Sequence, residues 1–370
     1  MIVLIVGKIG PRPPSKPAAA RRGTKFFASS DREFCPVCIL LRAFGAESAA
    51  TGVSGSAASA EEAEGKSQVR RFEHYEVMLG DDGKPIELGR GAMGVTYKAL
   101  DVDLRCPVTL KVISERYLGD ESAQLRFLRE ARAAASVRHP NVASVFHLGR
   151  TGRNYFYAME FVEGETLESL IRRSGRLEAK LALEIVTQAA SGLAAVHKQK
   201  LVHRDIKPSN IMVSLEEGGA VTTKIIDLGL AKGVSESAAE SAISAPGAFA
   251  GTPDFASPEQ FAGIGVDIRS DLYSLGVTLW EMLTGRTPFQ GTPAELIYQH
   301  QHEGLPLEQL KGVPRQVTAL LEMLLDKDPK RRFQTPAEFL NTLATLRNEL
   351  ERPPIEKRDL QTRFLRKRST

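Results

Sequence analysis

The apolar pattern of this 370-residue chain turns from mainly strand-like to helical after Glu163-Gly164, and that change limits the fold more than any other feature. Upstream, Ile86 to Lys98, Cys106 to Ile113 and Tyr155 to Phe161 read as short strands, with one helix predicted over Ser122 to Val137. Downstream, Leu177 to His197, Asp271 to Thr284 and Val317 to Leu325 carry apolar residues at three- and four-residue spacing, as amphipathic helices do. A last helix is announced by Thr335-Pro336-Ala337-Glu338, a capping box with proline at the first helical position, and Phe339, Leu343, Leu346 and Leu350 should line its one apolar face. Strands followed by helices predict an α+β chain of two lobes, a small strand-rich one over about 75–160 and a larger helical one over about 163–350. No repeat of fixed period interrupts this plan.

The flanks differ in kind. Residues 1–70 hold a Pro-rich basic start, a Cys-bearing island at Phe34 to Phe44 and an Ala/Ser/Gly/Glu run, with too few large apolar groups to offset the entropy of ordering, so they are expected to be mostly disordered. Residues 351–370 form a basic tail. Across the chain, 49 basic and 45 acidic residues leave a net charge of +4, too even a balance to predict nucleic acid as a partner. Three cysteines, Cys35, Cys38 and Cys106, are too few for a disulfide framework, so a reducing, cytoplasmic setting is expected. The apolar start Met1 to Val6 is shorter than a signal-peptide core, and no other stretch reads as a membrane span of about 20 residues.

Four groups of residues carry chemistry. Gly89-Arg90-Gly91-Ala92-Met93-Gly94-Val95 lies between two strands, which argues against a dinucleotide site, where the glycines open a helix. In a hairpin the same glycines let backbone amides close over phosphates; read alone, they are better taken as a plain glycine-rich turn. Lys111 ends a short apolar strand and, if it points inward, needs an anion, for which Glu130 on the following helix is the natural partner; both residues can also be ordinary surface charges. His203-Arg204-Asp205-Ile206-Lys207-Pro208-Ser209-Asn210 sets a carboxylate, an ammonium and an amide on one loop, the parts that phosphoryl transfer needs to orient a hydroxyl, offset developing charge and hold metal. Asp227-Leu228-Gly229 follows the apolar strand Thr223 to Ile226, and Gly251-Thr252-Pro253 and Ser257-Pro258-Glu259 close the segment beginning there.

In order and spacing these motifs resemble the protein kinase superfamily, and among its members the eukaryotic-like serine/threonine kinases of bacteria. The resemblance implies a bilobal kinase fold and transfer of the γ-phosphate of ATP, with Mg2+, to protein hydroxyls. It makes Asp205 the catalytic base, Lys207 the charge stabiliser, Lys111 a phosphate contact held by Glu130, and Asn210 and Asp227 the metal ligands. Leu88, Gly89, Gly91, Gly94 and Val95 would cover the nucleotide, while backbone groups of Glu160 and Val162 hold adenine. Glu259 would pair with Arg332, and Asp271 would brace the loop that contains Arg204. Lys207 and Thr252 match the serine/threonine branch, and Ala256-Ser257-Pro258-Glu259-Gln260 matches bacterial members. Two departures stand out: Thr109 in place of the usual alanine beside adenine, and Leu228 in place of the usual phenylalanine, which is expected to shift the active/inactive balance without loss of activity.

Arg204 resembles the arginine that receives an activation-segment phosphate, and the only hydroxyl residues between Asp227 and Gly251 are serines, so autophosphorylation is expected at Ser244 first and Ser241 second, through transient self-association. Cys35-Pro36-Val37-Cys38 has the spacing of one arm of a zinc ribbon, yet only His74 and Cys106 follow nearby, and a vestigial or disordered segment is the preferred reading. The competing functions are a pseudokinase that signals by docking, opposed by the intact Lys111, Asp205, Asn210 and Asp227, and a small-molecule phosphotransferase, opposed by the long segment from Asp227 to Glu259.

Overall fold

The structure, a computed structural model, describes residues 70–351 apart from 92–93, 116–120, 216–217, 229–251 and 264. Cys35, Cys38, Ser241 and Ser244 lie outside the described residues.

The first lobe is one antiparallel sheet. Strands β1 (Arg71–Phe72), β2 (Tyr75–Val77), β4 (Gly94–Asp101), β5 (Cys106–Ser114), β7 (Asn154–Glu160) and β6 (Val145–Thr151) lie in the order β1-β2-β4-β5-β7-β6, with β3 (Glu87–Gly91) paired to the outer part of β4. Both faces of the central strands are covered, which is why Tyr155 to Phe161 reads as an unbroken apolar run. Tyr155, Tyr157 and Met159 face helix α1 (Glu121–Ala135), packing with its Phe127, Ala131 and Ala134, whereas Phe156 and Ala158 join Tyr75, Val77, Tyr97 and Leu110 in the opposite layer.

The second lobe is helical. Helices α2 (Leu167–Ser174), α3 (Ala179–Lys198), α4 (Pro258–Ala262), α5 (Ile268–Thr284), α6 (Pro293–His302), α7 (Arg315–Leu324) and α8 (Pro336–Glu351) accompany a small sheet of β8 (Glu165–Thr166), β9 (Ile211–Leu215) and β10 (Val221–Ile225), in the order β10-β9-β8. Its centre is α5, whose Leu272, Tyr273, Leu275, Leu279 and Trp280 are fully buried. Close packing of α5 on α7 depends on Gly276, where an added Cβ would meet the Leu324 Cβ at 2.8 Å.

Two expectations need correction. Helix α3 is long and apolar enough to cross a membrane by length and composition, with a mean hydropathy of 1.2, contrary to the reading that no such stretch follows the start. Its Ala182, Leu183, Ile185, Val186 and Leu193 are buried in the core of the helical lobe, which accounts for the apolar composition. In α8, Thr335 Oγ1 accepts from the Glu338 amide at 3.2 Å, but the Glu338 carboxylate accepts from the Gln334 amide at 2.8 Å, so the reciprocal arm of the cap reaches one residue farther back. Phe339, Leu343 and Leu346 are buried as expected, while Leu350, at the last turn, is 38% exposed.

Candidate active site

The loop between α3 and β9 is locked from below. Asp271, in the first turn of α5, accepts the backbone amides of His203 and Arg204 at 2.8 Å each. That pull holds Arg204 in the left-handed region (φ 62°), a conformation a side chain of this size rarely adopts. Burial drives the Asp271 carboxyl up to about 7, against the two amides that favour its charged form. A further tie comes from Gln260 on α4, whose Nε2 donates to the Arg204 carbonyl at 3.1 Å.

With its backbone fixed, the loop presents three polar side chains together. Lys207 Nζ is 3.2 Å from Asp205 Oδ2, and Asn210 Nδ2 donates to both Asp205 Oδ2 at 3.0 Å and the Asp205 carbonyl at 2.8 Å. Lys207 also donates to Thr252 Oγ1 at 3.1 Å, which joins the loop to the segment ahead of α4. The Asn210 amide nitrogen is therefore committed to Asp205, and its Oδ1 is the atom suited to a hard cation.

Asp227 follows β10, again with positive φ (59°). Lys111 on β5 pairs with its Oδ2, and the Tyr157 hydroxyl donates to its Oδ1 at 2.8 Å. Burial pushes the Asp227 carboxyl up, but the Lys111 ammonium and the Tyr157 hydroxyl outweigh it and hold the group below the usual carboxylate range. Tyr157 is itself driven well above the ordinary phenol value, by burial first and then by the Asp227 charge. Sequence reasoning missed Tyr157, although the register gives a signal: on β7 it stands directly opposite Lys111 on β5. Next in the chain, Leu228 is buried in the cluster that contains Phe127, Ala131 and Ala134, so leucine does fill the slot beneath α1.

The expected pairing of Lys111 with Glu130 is not the one formed among the described ion pairs. Lys111 goes to Asp227, and Glu130 lies 3.9 Å from Arg204. An arginine one residue before Asp205 and a carboxylate at the strand end each offer an opposite charge, and those contacts divide the pair read from the sequence.

At the glycine-rich hairpin, β3 is exposed throughout, including Leu88, while Val95 on β4 is half-buried. Gly94 is required by packing, since an added Cβ would lie 1.9 Å from the Val112 carbonyl oxygen. Gly89 and Gly91 differ, because a Cβ there would meet nothing within 4 Å, so the protein's own packing does not demand glycine at either position. At the far end of β7, Glu160 donates its amide to the Ser144 carbonyl at 2.9 Å and its carboxylate pairs with Lys224 at 2.5 Å. Val162 is half-buried in the segment leading to β8, and Thr109 is half-buried on β5, two residues from Lys111.

Below the site, Glu259 and Arg332 form the expected pair, bidentate at 2.8 and 3.0 Å, with Ser270 Oγ donating to Glu259 at 2.6 Å. Burial raises the Glu259 carboxyl, and the Arg332 hydrogen bonds and charge outweigh it and bring it below its ordinary value. The arrangement thus sets a carboxylate, an ammonium and an amide oxygen on one loop against a second carboxylate and a second ammonium, as a site for a polyphosphate and a hard cation would require.

A family model described as a protein kinase domain matches residues 84–342. Among curated proteins, a probable serine/threonine-protein kinase of Clostridium acetobutylicum is 36% identical over 265 residues, covering 71% of this chain and 39% of the relative. Serine/threonine-protein kinase PknB of Mycobacterium tuberculosis is 35% identical over 268 residues, covering 70% of this chain and 42% of the relative. The chain therefore spans about two-fifths of the length of these relatives. Among solved structures, the PknI kinase domain of Mycobacterium tuberculosis superposes with a TM-score of 0.57 at 25% identity, covering 75% of this chain and 97% of that one. Rad53 residues 1–466, in complex with AMP-PNP, superposes with a TM-score of 0.59 at 25% identity, covering 73% of this chain and 65% of that one.

Proposed function

The chain belongs to the protein kinase family, and on that premise we propose that it transfers the γ-phosphate of ATP to serine or threonine hydroxyls of protein substrates. The observation that carries the reading is the hydrogen-bonded set of Asp205, Lys207, Asn210 and Thr252 beside the Lys111–Asp227 pair. Protein kinases as a family use a nucleotide triphosphate and a divalent metal ion, and oxygen ligands such as Asp227 and Asn210 suit magnesium.

In this mechanism Asp205 orients the substrate hydroxyl and accepts its proton, at the carboxylate that Asn210 holds in place. Lys207 stands where charge develops on the transferred group, and its contact with Thr252 ties that position to the segment that would carry the acceptor peptide. Bound magnesium would offset charge across the terminal phosphates. Lys111 contacts the phosphates, exchanging part of its Asp227 contact for them. Leu88, Gly89, Gly91, Gly94 and Val95 cover the nucleotide, with Gly89 and Gly91 leaving room for close backbone approach, and Glu160 and Val162 hold adenine through backbone groups. Glu130 steadies this arrangement from α1, through Arg204 in the geometry described here.

Autophosphorylation at Ser244, or secondarily Ser241, through transient self-association belongs to the same proposal, as does a cytoplasmic location, in keeping with a sequence of only three cysteines. Incubation with ATP, magnesium and a generic basic protein tests the reading. Phosphoserine or phosphothreonine in the acceptor supports it, and nucleotide binding without transfer would support a pseudokinase instead.

A further inference from the structure

At the far edge of the strand-rich lobe, away from Asp205 and Asp227, the β1–β2 turn meets β6. The sheet order places these two segments at opposite ends of the sheet, so their meeting reflects the curl of the sheet on itself. The turn brings Glu73 and His74, and β6 brings His147. One ligand atom from each of the three lies within 4.8 Å of the others. The His147 Nε2 is 3.7 Å from Glu73 Oε2, and the two imidazoles are stacked with centroids 5.6 Å apart.

Three features show that this group is built and held in place. Glu73 sits in the left-handed region (φ 53°), and the turn that puts it there is fixed by Arg71 Nε donating to the Glu73 carbonyl at 3.0 Å. Gly149, two residues beyond His147 on β6, leaves room for both the Phe156 ring and the carboxylate, because a Cβ at that position would lie 2.3 Å from Phe156 Cζ and 2.7 Å from Glu73 Oε1. Behind His74 stands Asp101, only 4% exposed. Its Oδ1 accepts the amides of Asp103 and Leu104 at 3.1 and 2.9 Å, which turns Oδ2 toward His74 Nε2 at 3.6 Å. A carboxylate aimed at one nitrogen of an imidazole fixes the ring and favours the other nitrogen as a metal ligand.

We infer that Glu73, His74 and His147 form a binding site for a divalent transition-metal ion of the zinc class, oriented by Asp101, that clips the β1–β2 turn to β6. Two imidazoles and one carboxylate are a recurrent zinc set, with water in the fourth position. At metal–ligand distances of about 2.0–2.2 Å, tetrahedral ligand atoms stand roughly 3.3–3.6 Å apart, so the present spacing needs only small side-chain rotations to close. Charge agrees, since Glu73 and Asp101 together balance a divalent ion. Such an ion would stabilise the edge of the lobe by linking segments far apart in sequence, and would act independently of phosphoryl transfer.

The test uses the full chain carrying Cys35→Ser and Cys38→Ser, which removes the competing pair of thiolates and leaves only Cys106, in excess magnesium to occupy oxygen-only sites. Zinc added to this protein should bind at one equivalent and raise the melting temperature, and cobalt in its place should give the absorption of nitrogen and oxygen ligands without a thiolate charge-transfer band. Adding His74→Ala and His147→Ala should abolish both the binding and the thermal shift. Because that variant removes packed rings, Glu73→Gln supplies a second arm: it keeps the volume, should leave the metal-free melting temperature unchanged, and should weaken zinc binding. Asp101→Asn should weaken binding by about 10–100-fold. Absence of one-equivalent binding in the protein carrying Cys35→Ser and Cys38→Ser, or equal binding after loss of either His74 and His147 or the Glu73 carboxylate, would overturn the assignment.

Discussion

Tyr157 donates its hydroxyl to Asp227 across 2.8 Å, from a strand position whose cross-strand partner is Lys111. Both carboxylate oxygens of Asp227 are thereby oriented by residues of the strand-rich lobe, although Asp227 itself follows β10 of the helical one. Tyr157→Phe keeps the ring in its packed layer and removes only the donor. The magnesium concentration needed for half-maximal transfer should rise by roughly 10–100-fold, the usual effect of losing a group that orients a metal ligand. A lowered requirement would show that the hydroxyl competes with the metal.

The glycine-rich hairpin separates packing from ligand approach. Gly94→Ala forces a Cβ to 1.9 Å from the Val112 carbonyl oxygen, so the expected outcome is a lower melting temperature and loss of activity together. Gly91→Ala meets nothing within 4 Å. It should leave the melting temperature within a degree or so and raise KM for ATP, and an unchanged KM would remove Gly91 from the nucleotide site.

The Glu259–Arg332 pair is a structural element with a measurable signature. Arg332→Met strands a buried carboxylate and should cost about 3–5 kcal/mol in denaturant unfolding. Combining it with Glu259→Gln should recover part of that loss. Equal losses in the single and double variants would mean that the charge pairing is not what holds α4 to the 326–332 segment.

Glu281 on α5 gives a pH signature. Burial, then the charges of Glu168 and Asp254, raises its carboxyl from 4.5 to about 7. The folded state therefore binds a proton that the unfolded state releases between those values, so this group's contribution is complete below about 4.5 and is lost as pH rises through about 7. Relative to Glu281→Gln, the native chain should lose stability across that window, by at most about 1.4 kcal/mol per pH unit. Parallel pH–stability curves for the two proteins would refute this.

What was legible in the sequence follows from what is local. The strand-to-helix change at Glu163-Gly164 and the loop at His203 to Asn210 rest on periodicity and on a motif, whereas the Glu259–Arg332 pairing, between residues 73 positions apart, is implied only by the family resemblance; the structure arranges all three accordingly. Helix α6 is equally local in its signal: Thr292-Pro293-Ala294-Glu295 is the same capping signature as Thr335-Pro336-Ala337-Glu338, and Thr292 and Glu295 form the reciprocal cap. Contacts between residues far apart in sequence were not legible in the same way. Whether Lys111 meets Glu130 or Asp227 depends on how α1 sits over β5, and the approach of Glu73 to His147 depends on the curl of the whole sheet. Neither leaves a periodic trace.

Transfer of labelled γ-phosphate from ATP to a basic protein acceptor, compared between the native chain and Asp205→Asn, bears most directly on the function assigned to this site. The substitution keeps the shape of the side chain that Asn210 and Lys207 hold, so nucleotide binding should persist while transfer falls by roughly 10²–10⁴-fold, the range for loss of a general base. Near-native transfer by Asp205→Asn, or no transfer by the native chain with magnesium and ATP bound, would contradict it.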